Sequence, residues 1–350
     1  MTTNQITIGN KRFYLHKAIA NPDFRSKSVL VEDTWDYVQM WLKRKRKNKA
    51  LFYWEQAREF YLATLELPDT SAPLTTYYCF LNAVKSLLSV RGRPITENHG
   101  VTGKSTSQRA HLSNEEVTFH KGGVLAGLCE YLGEVATGQT YTLNDIFYNL
   151  VFIHRAYNLT FSSRPELFIP INNPRYVKKI GSTEAWFTAE ISDERYSNQH
   201  SINKLPIGYE QDTSPEYVDN DELTIRRRRF RWRHGKPNQS RSIQNLVNYH
   251  RRVRKYLFYI NGASRLWYIK RGKGPEGIIN RSSMTLTYAA MHRLSELARY
   301  DPMLLAKHLD SQHNWLLSEF IVTARSQFLD EISSEITGHE FMVPGRKSVS

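Results

Sequence analysis

Three stretches of this 350-residue chain carry residue types able to do chemistry. In VRGRPITENHGV, residues 90 to 101, His99 follows the end of an apolar helix with Arg91 and Arg93 just upstream. Imidazole exchanges protons near neutral pH and a guanidinium holds anions, so these types suit proton transfer beside an anion. The same residues equally make a solvated loop arginine, Arg93, and a histidine that caps the neighbouring helix. In RRRRFRWRHG, residues 226 to 235, strand spacing puts Arg227, Arg229, Arg231 and Arg233 on one face. Arg226, Arg228, Phe230 and Trp232 then share the other. Basic side chains interleaved with aromatics suit a surface that tracks a nucleic-acid backbone and stacks on bases. The competing reading is a charged edge strand with Phe230 and Trp232 in the core. HRRVRKY, residues 250 to 256, extends the basic character along a helix through Arg251 and Arg254. The third stretch, GKST at 103 to 106, resembles the tail of a phosphate-binding loop, yet Asn98 stands where the first glycine belongs and a helix precedes it. It reads as a polar loop.

The charge balance agrees with an anionic partner. Forty-eight Lys and Arg against 34 Asp and Glu give +14 with His neutral, an excess that favours polyanions through counterion release. RNA, DNA and an acidic protein all fit it. No run of about 18 apolar residues occurs and the first residues lack the apolar core of a secretory signal, so no membrane partner and a cytoplasmic location are expected. Cys79 and Cys129 sit in apolar helical contexts as reduced core residues. No HExxH, paired-cysteine or clustered-carboxylate pattern occurs, so neither a metal nor a cofactor is expected.

The elements that must position these residues follow from periodicity. Helices are expected over 33 to 46, over 50 to 66 and from about 75 to the stop at Gly92 and Pro94. Gly122 and Gly123 precede another helix, and Thr142 with Asp145 starts one that runs to about 157. PELFIPI, RYVKKI and AWFTAEI are short β-branched and aromatic runs that suit strands. RLWYIKRGKG alternates like a strand. Ser282 or Ser283 caps a helix that Asp301-Pro302 ends, and Leu316, Phe320, Ala324, Phe328, Ile332 and Ile336 mark a final helix. The expected architecture is mainly α (α+β): a helical unit over 30–160, a β-containing basic section over 161–235 and a mostly helical section over 236–340.

YYCFLNAVKSLLSVRG followed by HGV resembles the HEPN superfamily over about residues 30 to 160. Together with MHRLSELARYDP, the same patch resembles the YaaC-like family over most of the chain. The HEPN resemblance implies a helical bundle and, in many members, a metal-independent ribonuclease with an Arg, four to six residues and a His. Arg93 and His99 enclose the five residues PITEN and would be the catalytic pair. His99 would exchange the proton of the RNA 2′-hydroxyl chemistry and Arg93 would stabilise the phosphate. Pro94 departs from the pattern, which usually has a polar residue there. Arg91, Asn98, His120, His154 and Arg155 are second-rank candidates for lining the same pocket. The resemblance also implies a homodimer with a composite site, a toxin or anti-phage setting and a protein partner in a defence complex. A non-catalytic nucleic-acid-binding or scaffold subunit is the alternative.

Overall fold

The computed structural model describes residues 3–8, 11–136, 138–191, 193–214, 223–233, 235–262 and 266–342. The chain divides into two compact units, each assembled from distant segments. One comprises residues 1–28 and 166–276 with the last five residues, and the other comprises 29–165 and 277–345. The division differs from the three consecutive sections expected, because the C-terminal helices return to complete the unit begun by the N-terminal ones.

In the 29–165 and 277–345 unit, α1 (Thr34–Arg44), α2 (Asn48–Thr64) and α3 (Ala72–Val90) follow one another. Asp33 caps α1 by accepting from the Trp35 amide at 2.7 Å. On α3, Tyr77, Leu81, Val84 and Leu88 are buried, and so are Phe80 and Leu87 beside them. This helix is therefore enclosed by α2 and by two later helices, α9 (Ser283–Tyr300) and α11 (Asn314–Thr337), with α10 (Pro302–Leu309) between those. The four-residue spacing on α11 is fully buried from Leu316 to Ile336, and Phe328 stacks on Phe80 of α3 with ring centroids 4.0 Å apart. Each such ring contributes roughly 1.5–3 kcal/mol by leaving water.

A HEPN-like helical bundle is not what this unit forms. Residues 101–142 supply a three-stranded antiparallel sheet, β5 (Val101–Ser105), β6 (Glu115–Phe119) and β7 (Thr140–Thr142), in that order. The fold is α+β rather than mainly α. Alternation decides the strand at β6, where Glu115, Val117 and Phe119 are buried and the residues between them less so. The GKST stretch is largely β5, not a loop. Gly103 lies there because a Cβ would strike the Arg293 and Glu296 side chains of α9. Beyond the sheet are α4 (Val124–Leu132), α5 (Leu143–Tyr148) and α6 (His154–Thr160). The helix expected to run from Thr142 to 157 is interrupted after Tyr148. The Asn149 side chain donates to the carbonyls of Asp145 and Gly277, both at 2.7 Å, and fixes the break. Val29–Leu30, β4, pairs in parallel with Phe341–Met342, β15.

The other unit is built on an eight-stranded sheet among the described residues. Its strands are β1 (Thr3–Gln5), β8 (Phe168–Lys179), β9 (Glu184–Ile191), β10 (Tyr209–Gln211), β11 (Leu223–Arg227), β12 (Phe230–Arg231), β13 (Leu257–Ile260) and β14 (Leu266–Lys270). The main path runs β10-β11-β9-β8-β14-β13, with β1 on β8 and β12 on β9, and every pairing is antiparallel. The short ladder β2 (Thr7–Ile8) and β3 (Lys11–Arg12) and the helix α7 (Gln199–Asn203) complete its smaller elements. Helix α8 (Lys236–Arg254) places Leu246, Tyr249 and Val253 in the core of this unit, with Ala185, Phe187, Ala189 and Ile191 of β9. The Tyr249 hydroxyl accepts from the Phe187 amide at 3.0 Å and donates to the Arg227 carbonyl at 3.2 Å, tying helix to sheet. Among the described residues no helix is long and apolar enough to cross a membrane.

Candidate functional site

The end of α3 explains the spacing around His99. Gly92 takes φ +63°, which lets the Arg93 amide reach back to the Leu88 carbonyl at 2.9 Å. The chain then turns, and the carbonyls of Asn98 and His99 accept from the amides of Val124 and Leu125 at 2.9 and 3.0 Å. These are first-turn amides of α4, so the His99 segment caps that helix with its backbone. Such contact requires glycine on both sides. A Cβ on Gly100 would lie 2.9 Å from the Gly122 carbonyl oxygen, and one on Gly123 would strike Gly100.

The cap leaves the His99 side chain at the mouth of a pocket of about 470 Å³ lined by Asn98, His99, Gly100, Val101, Thr102, His120 and Gly122. His120 arrives there because β6 pairs with β5, and its Nε2 lies 2.9 Å from Thr102 Oγ1. Two imidazoles therefore line one pocket. His99 Nδ1 is hydrogen-bonded to the Tyr77 hydroxyl, which lies 3.1 Å from that of Tyr288. Burial, with Lys85 next, holds the His99 pKa below the usual histidine value, against the pull of Glu296. Behind it, burial and the neighbouring His99 push His292 down to about 3. The same burial favours the neutral imidazole of His99 over its cation.

The remaining candidates near His99 are engaged elsewhere. Arg91 donates to the carbonyls of Glu335 and Ile336 at the end of α11. Arg93 lies 3.7 Å from Glu130, and both guanidiniums sit 5.9 Å from the Tyr131 ring centroid. His154 is buried with Nδ1 2.5 Å from the Val151 carbonyl, and Arg155 is exposed on α6. Of the expected set, His99, Asn98 and His120 line the pocket, whereas Arg91, Arg93, His154 and Arg155 do not. Tyr77, Tyr288 and His292 were missed. Two of them come from α9, some 190 residues downstream by their numbering, and no local spacing marks them.

The arginine-rich stretch is not one strand. β11 ends at Arg227 and β12 begins at Phe230, so the strict alternation expected across 226 to 233 is interrupted at Arg228 and Arg229. Arg226 before the break and Arg229 within it are paired with acids. Arg226 contacts Glu210 at 2.8 Å and Asp212 at 3.2 Å, and Arg229 contacts Glu184 at 2.8 Å. Arg227 lies over the Tyr209 ring and donates to the Ile207 carbonyl at 3.2 Å. After the break, alternation resumes with its sides decided: Arg231 and Arg233 are exposed and Trp232 is buried between them. Trp232, 3% exposed, meets Phe13 edge-on, and Phe230 stacks on Tyr249. The buried Trp232 ring is not available to stack on a base, and one face of Phe230 is occupied. His234, in the same stretch, lies outside the described residues.

Downstream, Arg251 and Arg254 are engaged within their own unit. Arg251 Nε donates to the Ala20 carbonyl at 2.7 Å, while buried Arg254 donates to Leu257 and Lys17 carbonyls and lies over Trp267. His250, expected beside them, is buried against Tyr176 and the Ala18 carbonyl. These residues hold the N-terminal segment to their own unit.

A different set of arginines converges. Arg231 and Arg233 join Arg241 of α8 around a cavity of about 310 Å³, with Asn238, Ser242 and Asn245. Ser242 Oγ accepts from the Arg233 amide and donates to the Arg233 carbonyl, both at 3.0 Å. Asn245 donates to the Arg231 carbonyl at 3.3 Å. The backbone bearing two of the arginines is thereby fixed to the helix bearing the third. Among the described residues no acid lines the cavity. Arg241 was not singled out from the sequence, where it stands between Ser240 and Ser242, away from the basic runs. Among the described residues no group of three or more His, Cys, Asp or Glu is placed to hold a metal ion.

A family model described as YaaC-like Protein matches residues 13–336. No curated protein and no solved structure matches the chain.

Proposed function

For a chain that belongs to the YaaC-like family, we propose a role in binding nucleic acid, with single-stranded RNA as the substrate class, through the arginine surface of its sheet unit. The observation carrying this reading is that Arg231, Arg233 and Arg241 line one cavity with no acid among its described lining residues. Unmatched guanidiniums held on fixed backbone repel one another in the free protein and are relieved by a polyanion. The excess of +14 adds long-range attraction. Binding of labelled single-stranded RNA measured from low to high salt tests it. The expected result is a log-log plot that falls by about 0.7 per phosphate neutralised. Salt-independent binding, or none at low salt, overturns it.

A second reading, metal-independent RNA cleavage, is favoured by the two imidazoles in one pocket. A neutral His99 accepts the 2′-hydroxyl proton and His120 delivers one to the leaving 5′-oxygen; the phosphodiester isomerises to a cyclic phosphate as the chain breaks. Arg93, turned to Glu130 and Tyr131, has no part in this version. His99→Ala and His120→Ala are each expected to lower cleavage in EDTA by about 10²–10⁴-fold with RNA affinity unchanged. Wild-type protein that binds RNA without cutting it leaves the binding role alone.

A further inference from the structure

The cavity among Arg231, Arg233 and Arg241 is more particular than a basic surface needs. A surface that only tracks a strand places its cations in a row along the groove, one to each successive phosphate. Here Arg231 of β12, Arg233 of the segment after it and Arg241 of α8 line one cavity of about 310 Å³, at the small end of ligand pockets. Ser242 and Asn245 already satisfy the Arg233 and Arg231 main chain, so the arginine heads are what the cavity offers a ligand. Trp232 is buried between Arg231 and Arg233 and anchors the segment from which both project.

Charge selects the ligand. An internal phosphodiester carries a single negative charge, whereas a terminal phosphomonoester carries about −1.5 to −2 at pH 7 and three acceptor oxygens. Three planar forks with no competing carboxylate match the second better, because each fork can take an oxygen edge of its own. An internal phosphate must also let the chain leave the cavity in two directions, while a terminal one enters end-on.

We propose that the Arg231, Arg233 and Arg241 cavity binds the terminal phosphate of a nucleic-acid strand. The proposal rests on the nucleic-acid reading above and adds to it a preference for one end chemistry. The test uses the full-length protein and three labelled single-stranded RNAs of one sequence, bearing a 5′-phosphate, a 3′-phosphate or hydroxyls at both ends. A phosphorylated end is expected to bind roughly tenfold or more tightly than hydroxyl ends, and the better of the two ends identifies which terminus the cavity takes. Arg241→Gln removes that preference. Arg241→Lys keeps the salt dependence and loses most of the preference, since an ammonium is a point charge without the fork. Both variants change an exposed side chain, and an unchanged melting temperature shows that they fold. Equal affinity for all three strands with steep salt dependence intact overturns the end-binding site and leaves general nucleic-acid binding standing. A preference that survives Arg241→Gln in a folded protein also overturns it. If none of the strands binds at low salt, both readings fall together.

Discussion

Behind His99 the charged core groups are paired with opposite charges, whereas Arg231, Arg233 and Arg241 line one cavity with no acid among its described lining residues. Behind the histidine pocket, Glu115 of β6 is fully buried and accepts from Arg293 at 2.7 Å, with His308 Nε2 3.0 Å away. Arg293 also reaches Ser105 and Glu296, and Glu296 accepts from the Gly103 amide. This network joins β5, β6, α9 and α10. Its charges are opposite and adjacent, the arrangement that holds a core together. In the arginine cavity, charges of one sign are brought together by strand alternation, a buried tryptophan and three side-chain hydrogen bonds. A fold tolerates that at a surface, and the tolerance is informative when the same stretch pairs Arg226 and Arg229 with acids only a few residues earlier. Paired arginine marks structure here, and unpaired converging arginine marks a place for an anion.

The comparison breaks most severely if the buried network is not structural. Glu115→Ala takes from buried Arg293 one of its two carboxylates, Glu296 remaining, and from His308 its partner, and a loss of about 3 kcal/mol is expected in chemical denaturation, the lower end for breaking a buried pair. Burial raises the Glu115 pKa, but His308 and Arg293 more than offset this and hold it below its ordinary value. Its contribution is therefore complete above the ordinary carboxylate pKa and lost as pH falls through the depressed one.

Trp232→Ala comes next. It is expected to cost about 3–4 kcal/mol by opening a cavity in the core, read as a lower denaturation midpoint. A folded variant of wild-type stability that has lost RNA affinity would instead return the ring to the binding surface and undo the alternation argument.

A smaller effect concerns the histidines. His292 is held at about 3 and His313 at about 4, both chiefly by burial. Each is neutral in the folded protein and protonates more readily when unfolded. Stability should fall as pH drops below about 6.5, with a slope of at most about 1.4 kcal/mol per pH unit for each residue. The fall continues towards their folded values, and His292→Gln should flatten part of the slope in thermal melts from pH 7 to 4. A melt independent of pH in that range would contradict the buried neutral assignment.

Local signals were legible and long-range ones were not. The four-residue spacing of α11, the Thr142 and Ser282 caps and the strand character of AWFTAEI each depend on neighbours within a few residues. β5 was obscured because Thr102, Gly103 and Lys104 look like loop residues in isolation; Gly103 makes sense only against Arg293, some 190 positions away by number. The helical bundle failed for the same reason, since the strands between α3 and α4 alternate too briefly to outweigh their polar composition. At the sites, the His99 segment was recognisable from its glycines and its place after α3. Its partners Tyr77 and His292 were not, because packing rather than spacing brings them together. The arginine stretch advertised its charge, but which arginines are paired depends on Glu184, Glu210 and Asp212 of other strands or their ends.

The most direct test compares two sets of substitutions within one stretch of chain. Single-stranded RNA binding is measured across salt concentrations for wild-type protein, for Arg231→Gln with Arg233→Gln and Arg241→Gln, and for Arg226→Gln with Arg229→Gln. Removing the three cavity arginines is expected to lower the magnitude of the log-log salt slope by about 0.7, for the one phosphate they share, with stability within about 0.5 kcal/mol of wild type. Removing the two paired arginines should leave the slope close to wild type. A triple variant that keeps the wild-type slope, or a paired-arginine variant that loses more than the triple one, would contradict the assignment of the anion site to the unpaired arginines.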